Sequence, residues 1–311
     1  MAVRLDKDII SHMLVTHAAA ISPASWTWTC RLRLDSLPGV DLGYGIATKG
    51  TYESGDTIRI GVRYYNDAGT YKLQAGVRTG DVDYLVSLTY TLLLGEWYAI
   101  GASLASGGTC SIYLAPCEQA FGVAAPTAYT STASGAIAVA TPANSGDLRI
   151  GAATGGSGSI GGFDGTIAEP ALYDAVIAQS TLEGRLTSRL TGAETSIVGY
   201  WPGDEGWTLP AGTTVYDRAS GTGRNAAILN SGTWADDPID LYYDAADTAG
   251  LALLGWPSWT RSFKSVITGS DDNAAYPSTA LLSPQQGVVA RTNDATGVKR
   301  WVINFGAIRP L

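Results

Sequence analysis

The chain has 311 residues, 45% of them hydrophobic, enough for one large all-β domain with extensions or two small domains, and too apolar for a disordered chain. Its net charge of −8 supplies no basic field to neutralise phosphates or to attract anionic lipid, so neither a nucleic-acid nor a membrane partner is expected. Cys30, Cys110 and Cys117 are an odd number with no C-x-x-C among them, which excludes a disulfide framework and a zinc ribbon.

The N-terminal "MAVRLDKDIISHMLVTHAAAIS" has an apolar run broken by His12 and His17, and Asp6 and Asp8 spoil a basic leader, so residues 1–20 are expected to be an N-terminal arm of the mature protein. No apolar run approaches the ~20 residues of a membrane-spanning helix. Strict alternation begins at "SWTWTCRLRL": Trp26, Trp28, Cys30, Leu32 and Leu34 share one face, and Thr27, Thr29, Arg31 and Arg33 share the other, expected to be wet. "TIRIGVRY" puts Ile58, Ile60, Val62 and Tyr64 on one side, and "YKLQAGVR" does the same with Tyr71, Leu73, Ala75 and Val77. Asn66, Asp67, Ala68 and Gly69 between them predict a hairpin. "DYLVSLTYTLL" and "CSIYLAP" continue the pattern, and Trp97 is expected on a core face. Many short strands with 38 glycines for turns predict an antiparallel β-sandwich or barrel. One helix is expected in "AQSTLEGRLTSRLTG". There Leu182, Leu186 and Leu190 form a stripe, Ser180 and Glu183 a capping box, and Gly192 the stop.

Catalytic signals are sparse. In "IVGYWPGDEGW" the carboxylates Asp204 and Glu205 lie between Trp201 and Trp207, but adjacent residues of a strand face opposite ways, and the glycine-flanked pair reads as a turn. The seven glutamates (53, 96, 118, 169, 183, 194 and 205) are never closer than eleven residues, so no same-strand glutamate pair of a glucanase is present. "GSGSIG" (156–161) satisfies G-x-G-x-x-G, but a strand rather than a helix is expected to follow, so it reads as a β-loop. His12 and His17, the only histidines, lack zinc-protease spacing, and no G-x-S-x-G elbow occurs. "GSDDN" offers Asp271 and Asp272, and "DVD" (81–83) two more carboxylates, as weak calcium candidates; no other cofactor is implied. Nine Trp and sixteen Tyr against four Phe favour rings with a polar tip, suited to interfaces and sugar platforms. Trp256 and Trp259, flanking Pro257, are the leading contact candidates, with Trp301 and Phe305 as further interface aromatics.

Two phrases carry a family resemblance. "GEWYAIGASLASGGTCSIYLAP" (95–116) and "LRIGAATGGSGSIGGFDGTIAEPALYDAVIAQSTLEGRL" (148–186), the latter with an F-x-G-x-I-x-E run, a tyrosine strand and a short helix, resemble a laminin-G-like jelly roll of the concanavalin A-like lectin/glucanase superfamily. "GYWPGDEGWTLPAGTTVYDRASGTGRNAAILNSGTW" (199–234) is similar to a segment that often precedes the first full strand in that family; here it follows the helix and is expected either to complete the same sandwich or to start a second small unit. The resemblance implies a concanavalin A-like β-sandwich over 21–235, leaving 236–311 as a C-terminal extension for assembly. By analogy with lectin-like jelly rolls that carry arms, the chain resembles a phage virion protein. It is therefore expected to be a non-enzymatic capsid decoration, fibre or tail-associated adhesion protein on the virion surface, with other virion proteins, copies of itself and host or environmental glycans as partners. The alternatives are an extracellular carbohydrate-binding module of a bacterial surface protein and a polysaccharide-degrading enzyme.

Overall fold

The computed structural model describes residues 2–8, 10–50, 57–80, 82–117, 126–153, 160–186, 189–203, 214–219, 223–229, 232–235, 288–293 and 299–304. They belong to two compact units, 1–258 and 259–311. In chain order the first unit has β1 (Ala2–Leu5), β2 (His12–Val15), β3 (Trp26–Leu34), β4 (Gly43–Gly50), β5 (Ile58–Asp67), β6 (Thr70–Thr79), β7 (Val82–Thr89), β8 (Trp97–Leu104) and β9 (Thr109–Cys117). Then follow β10 (Ser131–Ala136), β11 (Leu148–Ile150), β12 (Ile160–Gly161), β13 (Gly165–Tyr173), helix α1 (Gln179–Glu183), β14 (Ile197–Tyr200), β15 (Thr214–Val215), β16 (Ala226–Leu229) and β17 (Thr233–Ala235). The second unit shows one hairpin, β18 (Val288–Asn293) with β19 (Lys299–Asn304).

The strands of the first unit make a β-sandwich of two sheets. The first sheet runs β10-β9-β8-β3-β13-β1-β17, with β14 continuing the edge of β13 beyond β1. The second runs β15-β16-β2-β11-β4-β5-β6-β7, with β12 beside β4. Among the described residues all pairings are antiparallel except β12 with β4. The core between the sheets is set by two-residue alternation. Trp26, Trp28, Leu32 and Leu34 meet Ile60, Val62, Tyr64, Leu73 and Val77, all at most 1% exposed. The expected hairpin joins β5 to β6. Ala68 and Gly69 both have positive φ (47° and 92°), as a two-residue turn matching the strand twist requires, and Asn66 Oδ1 accepts the Gly69 N–H at 2.8 Å.

Several expectations are corrected. The segment expected as an arm supplies strands to both sheets: β1 pairs with β13 and β17, and β2 lies between β11 and β16. Four-residue strands are too short to show periodicity, and their partners lie far away in the chain (Ala2 opposite Ala168, Val15 opposite Leu148). Residues 197–235 contribute β14 to β17 to the same two sheets.

Trp97 is buried but faces away from the inter-sheet core. It stands opposite Arg33, whose guanidinium lies 5.5 Å from its ring, while Tyr98 and Ile100 point inward. The outer face of β3 is not wet, because a second layer of chain covers it: Thr27 and Arg31 are buried. Thr27 Oγ1 clamps the following loop, donating to the Ala175 carbonyl at 2.7 Å and accepting from the Ile177 N–H at 2.9 Å. That layer includes α1, with Leu182 and Leu186 buried against Trp97, Ala99 and Ala115. The helix is one short turn, and the capping box does not form. Ala178 is the N-cap, and Glu183 instead accepts from the Tyr129 N–H at 3.1 Å and from Gln179 Nε2 at 2.8 Å.

Candidate functional site

The outer face of the second sheet over β5 to β7 is built by the residues that alternate with its core set. Register places Tyr65 beside Lys72 and Thr89, Arg63 beside Gln74 and Ser87, Gly61 beside Gly76 and Leu85, and Arg78 beside Asp83. The glycine row leaves a bare strip, and the Arg63 side chain crosses it. Its Nε donates to Gln74 Oε1 at 2.8 Å and its Nη2 reaches Asp83 Oδ2 at 3.1 Å. Arg78 Nη1 meets the other oxygen of Asp83 at 3.1 Å, and Arg78 Nε donates to the Gly80 carbonyl at 3.0 Å. Gln74 Nε2 donates to Ser87 Oγ at 2.9 Å. The Arg63 guanidinium sits 5.3 Å from the Tyr65 ring, whose hydroxyl donates to the Asp41 carbonyl at 3.2 Å. Lys72 pairs with Asp67 at 2.5 Å on the same face.

This face carries a pre-ordered polar array. Apart from the Lys72 ammonium, its donors and acceptors are planar or hydroxylic, are held in place by one another, and still reach solvent. Side-chain exposure is 11% at Arg63, 17% at Arg78 and 28% at Asp83. Locked guanidinium and amide groups lose little rotamer freedom when a polar ligand docks. Three cations, Arg63, Lys72 and Arg78, against Asp67 and Asp83 make this a locally positive patch on an acidic chain. The alternation that places Ile60, Val62, Leu73 and Ala75 inside also places Arg63 and Gln74 outside; that pattern is the signal that could have found the site.

The other ion-rich region is closed. Under α1, Arg31 is ion-paired with Glu169, whose Oε1 lies 3.6 Å from Arg189 and accepts from the Tyr200 hydroxyl at 3.3 Å. Arg31 also donates to the Leu186 carbonyl at 3.0 Å, tying the turn after the helix to the sheet. Glu169 has φ of 49° at the bulge where β13 passes from pairing with β1 to pairing with β14. This is the glutamate of the F-x-G-x-I-x-E run, and it acts as an internal strut. The cavity beside it, lined by Thr29, Tyr129, Arg185 and Leu190 among others, measures about 40 Å³, room for water and not for a sugar ring. A second buried cation, Lys49, donates to the Gly146 carbonyl and lies 3.0 Å from His17 Nδ1, and burial pushes its ammonium down to about 8.

Trp256, Trp259, Phe305, Asp271 and Asp272 lie outside the described residues, as do Asp204, Glu205 and Trp207. Trp301 lies on β19 opposite Arg291. Asp83 of "DVD" is held by Arg63 and Arg78, and the described residues contain no group of three or more metal-binding side chains. Trp201 is buried, its indole N–H donating to the Arg224 carbonyl at 2.8 Å. Asp217 of "VYDRASG" accepts the N–H groups of Tyr200 and Ala219 at 3.0 and 2.9 Å, so that acidic turn holds the fold together.

No protein-family model and no curated protein sequence matches the chain. Solved structures are similar in shape. A protein from Bacteroides ovatus ATCC 8483, provisionally described as carbohydrate binding, matches with TM-score 0.52 and 19% identity, over 75% of this chain and 58% of that one. The enzymatically active domain of bacteriophage CBA120 tailspike protein 2 matches with TM-score 0.43 and 11% identity, over 63% and 29%. Mouse laminin α1 domains LG4-5 match with TM-score 0.36 and 11% identity, over 55% and 40%. This chain thus spans little more than half the length of the Bacteroides protein, and the likeness is one of fold.

Proposed function

We propose that the chain is a non-enzymatic carbohydrate-binding protein whose glycan site is the outer face of β5 to β7. The observation that carries this reading is the Tyr65–Arg63–Gln74–Asp83–Ser87 array, a sheet surface whose polar groups are already oriented. A sugar presents hydroxyls that both donate and accept, and these side chains offer both partners within one side chain's reach. The fold shared with the Bacteroides ovatus protein is compatible with it. Binding without hydrolysis is the better reading because a glycosidase needs an acid and a second carboxylate flanking the scissile bond. Both carboxylates of this face, Asp67 and Asp83, are instead engaged by cations.

The finer proposal concerns placement. The protein serves as an adhesion or decoration component of a phage particle, held through 236–311, where Trp256, Trp259, Phe263, Trp301 and Phe305 have the composition of an interface core. An extracellular module of a bacterial surface protein is the other placement that the same binding face supports. A glycan array probed with the full chain and with the Arg63→Ala/Gln74→Ala variant tests the binding reading: the wild type should mark a subset of glycans and the variant should lose it. Loss of reducing-sugar-free behaviour, that is, release of reducing ends from a bound polysaccharide, would overturn the non-enzymatic assignment.

A further inference from the structure

Among the described residues the second sheet ends on β7, which pairs with β6 in unbroken register from Val82 opposite Thr79 to Thr89 opposite Lys72. The Tyr90 N–H donates to the Tyr71 carbonyl at 3.1 Å, which fixes the alternation: Tyr84, Val86 and Leu88 bond toward β6, and Asp83, Leu85, Ser87 and Thr89 turn their N–H and C=O groups outward. Among the described residues no hydrogen bond reaches the N–H groups of these four.

Sheet edges are usually blunted by lysine, proline or a bulge. β7 has none of these, and its one charge, Asp83, is engaged on the sheet face by Arg63 and Arg78. We propose that β7 is a strand-addition surface whose occupant is β7 of a second copy of this chain, antiparallel about a two-fold axis at Val86. This proposal stands independently of the glycan reading.

The register supports the choice of occupant. An axis at Val86 sets Asp83 opposite Thr89 of the copy and Leu85 opposite Ser87, so all four outward-bonding residues pair with outward-bonding residues and about eight backbone hydrogen bonds form. On the inner face Tyr84 meets Leu88 and Val86 meets Val86, extending the apolar core across the junction. No like charges stand opposite each other, because the strand carries only one. The pairing is self-complementary, as a two-fold interface must be.

The alternation supplies a selective test. Proline at Leu85 removes an N–H that β6 does not use, so Leu85→Pro leaves the protomer ladder intact while breaking the copy-to-copy ladder. Light scattering on the eluting full chain should give twice 32.4 kDa for the wild type and 32.4 kDa for Leu85→Pro, with unchanged circular dichroism. Ser87→Pro is the second variant should Leu85→Pro fail to fold. Hydrogen exchange on the wild type adds a readout that needs no variant: the amides of Leu85 and Ser87 should gain protection as concentration rises. A wild type that stays monomeric through the dilution series with those amides unprotected overturns the proposal and leaves the edge to a strand of another protein. So does an oligomer that either folded proline variant leaves intact.

Discussion

Neutralising Glu169 should destabilise the sandwich more than any comparable surface change. Glu169 is 3% exposed and Arg31 7%, and Glu169→Gln leaves the Arg31 guanidinium buried without its counter-charge. Breaking a buried pair from one side costs about 3–5 kcal/mol, which for a domain of this size is roughly 10 °C in melting temperature. The structure also predicts an asymmetry. Arg31→Met leaves Glu169 with a second cation, Arg189 at 3.6 Å, whereas Glu169→Gln removes the partner of both arginines. Arg31→Met should therefore cost less, and the Arg31→Met/Glu169→Gln double variant should recover part of the loss. Urea unfolding followed by tryptophan fluorescence measures all three, and the double-mutant cycle gives the coupling. A loss below about 1 kcal/mol for Glu169→Gln, or strict additivity of the two changes, would refute the strut assignment.

Three further outcomes are expected. Lys49 has its folded pKa depressed by burial to about 8 from the ordinary 10.5, so the unfolded chain holds its proton more strongly. The burial penalty is present below pH 8 and is relieved as pH rises from 8 toward 10.5, by at most about 3 kcal/mol, and Lys49→Met should flatten that part of the stability–pH curve. His12 is also pushed down, by burial outweighing its bond to the Ile10 carbonyl, so its contribution is intact above the unfolded value of 6.5 and declines as pH falls below it; His12→Gln should remove that acid-side slope in denaturant titrations. Cys30 and Cys110 are pushed up to about 12 by burial and Cys117 is buried as well, so a thiol reagent at neutral pH should label none of the three until the chain unfolds.

Local pattern carried much of the fold. The alternation in β3, β5 and β6 assigned the inward residues, and Asn66 to Gly69 located the hairpin, because both depend on neighbouring residues alone. Alternation states which side chains share a face but not what covers that face. Hence alternation alone puts Arg31 and Thr27 in water although the chain after β13 packs over them, and it puts Trp97 on the wrong side of β8, because a tryptophan suggests a core without saying which core. β1 and β2 were illegible for a different reason: each is four residues long, and its stability comes from partners more than 130 residues away. The outer face of β5 to β7 is legible in principle, since Arg63, Gln74 and Ser87 are the complement of the core pattern. Its hydrogen bonds depend on cross-strand register, which no single segment contains.

Glycan binding on the outer face of β5 to β7 can be read by calorimetric titration of one array-selected glycan. Arg63→Ala should weaken affinity by about tenfold to a hundredfold, the value of one or two lost charged hydrogen bonds, while Arg33→Ala, on the opposite sheet, should leave it unchanged. Equal affinity of the wild type and Arg63→Ala, with both folded, would move the site off this sheet.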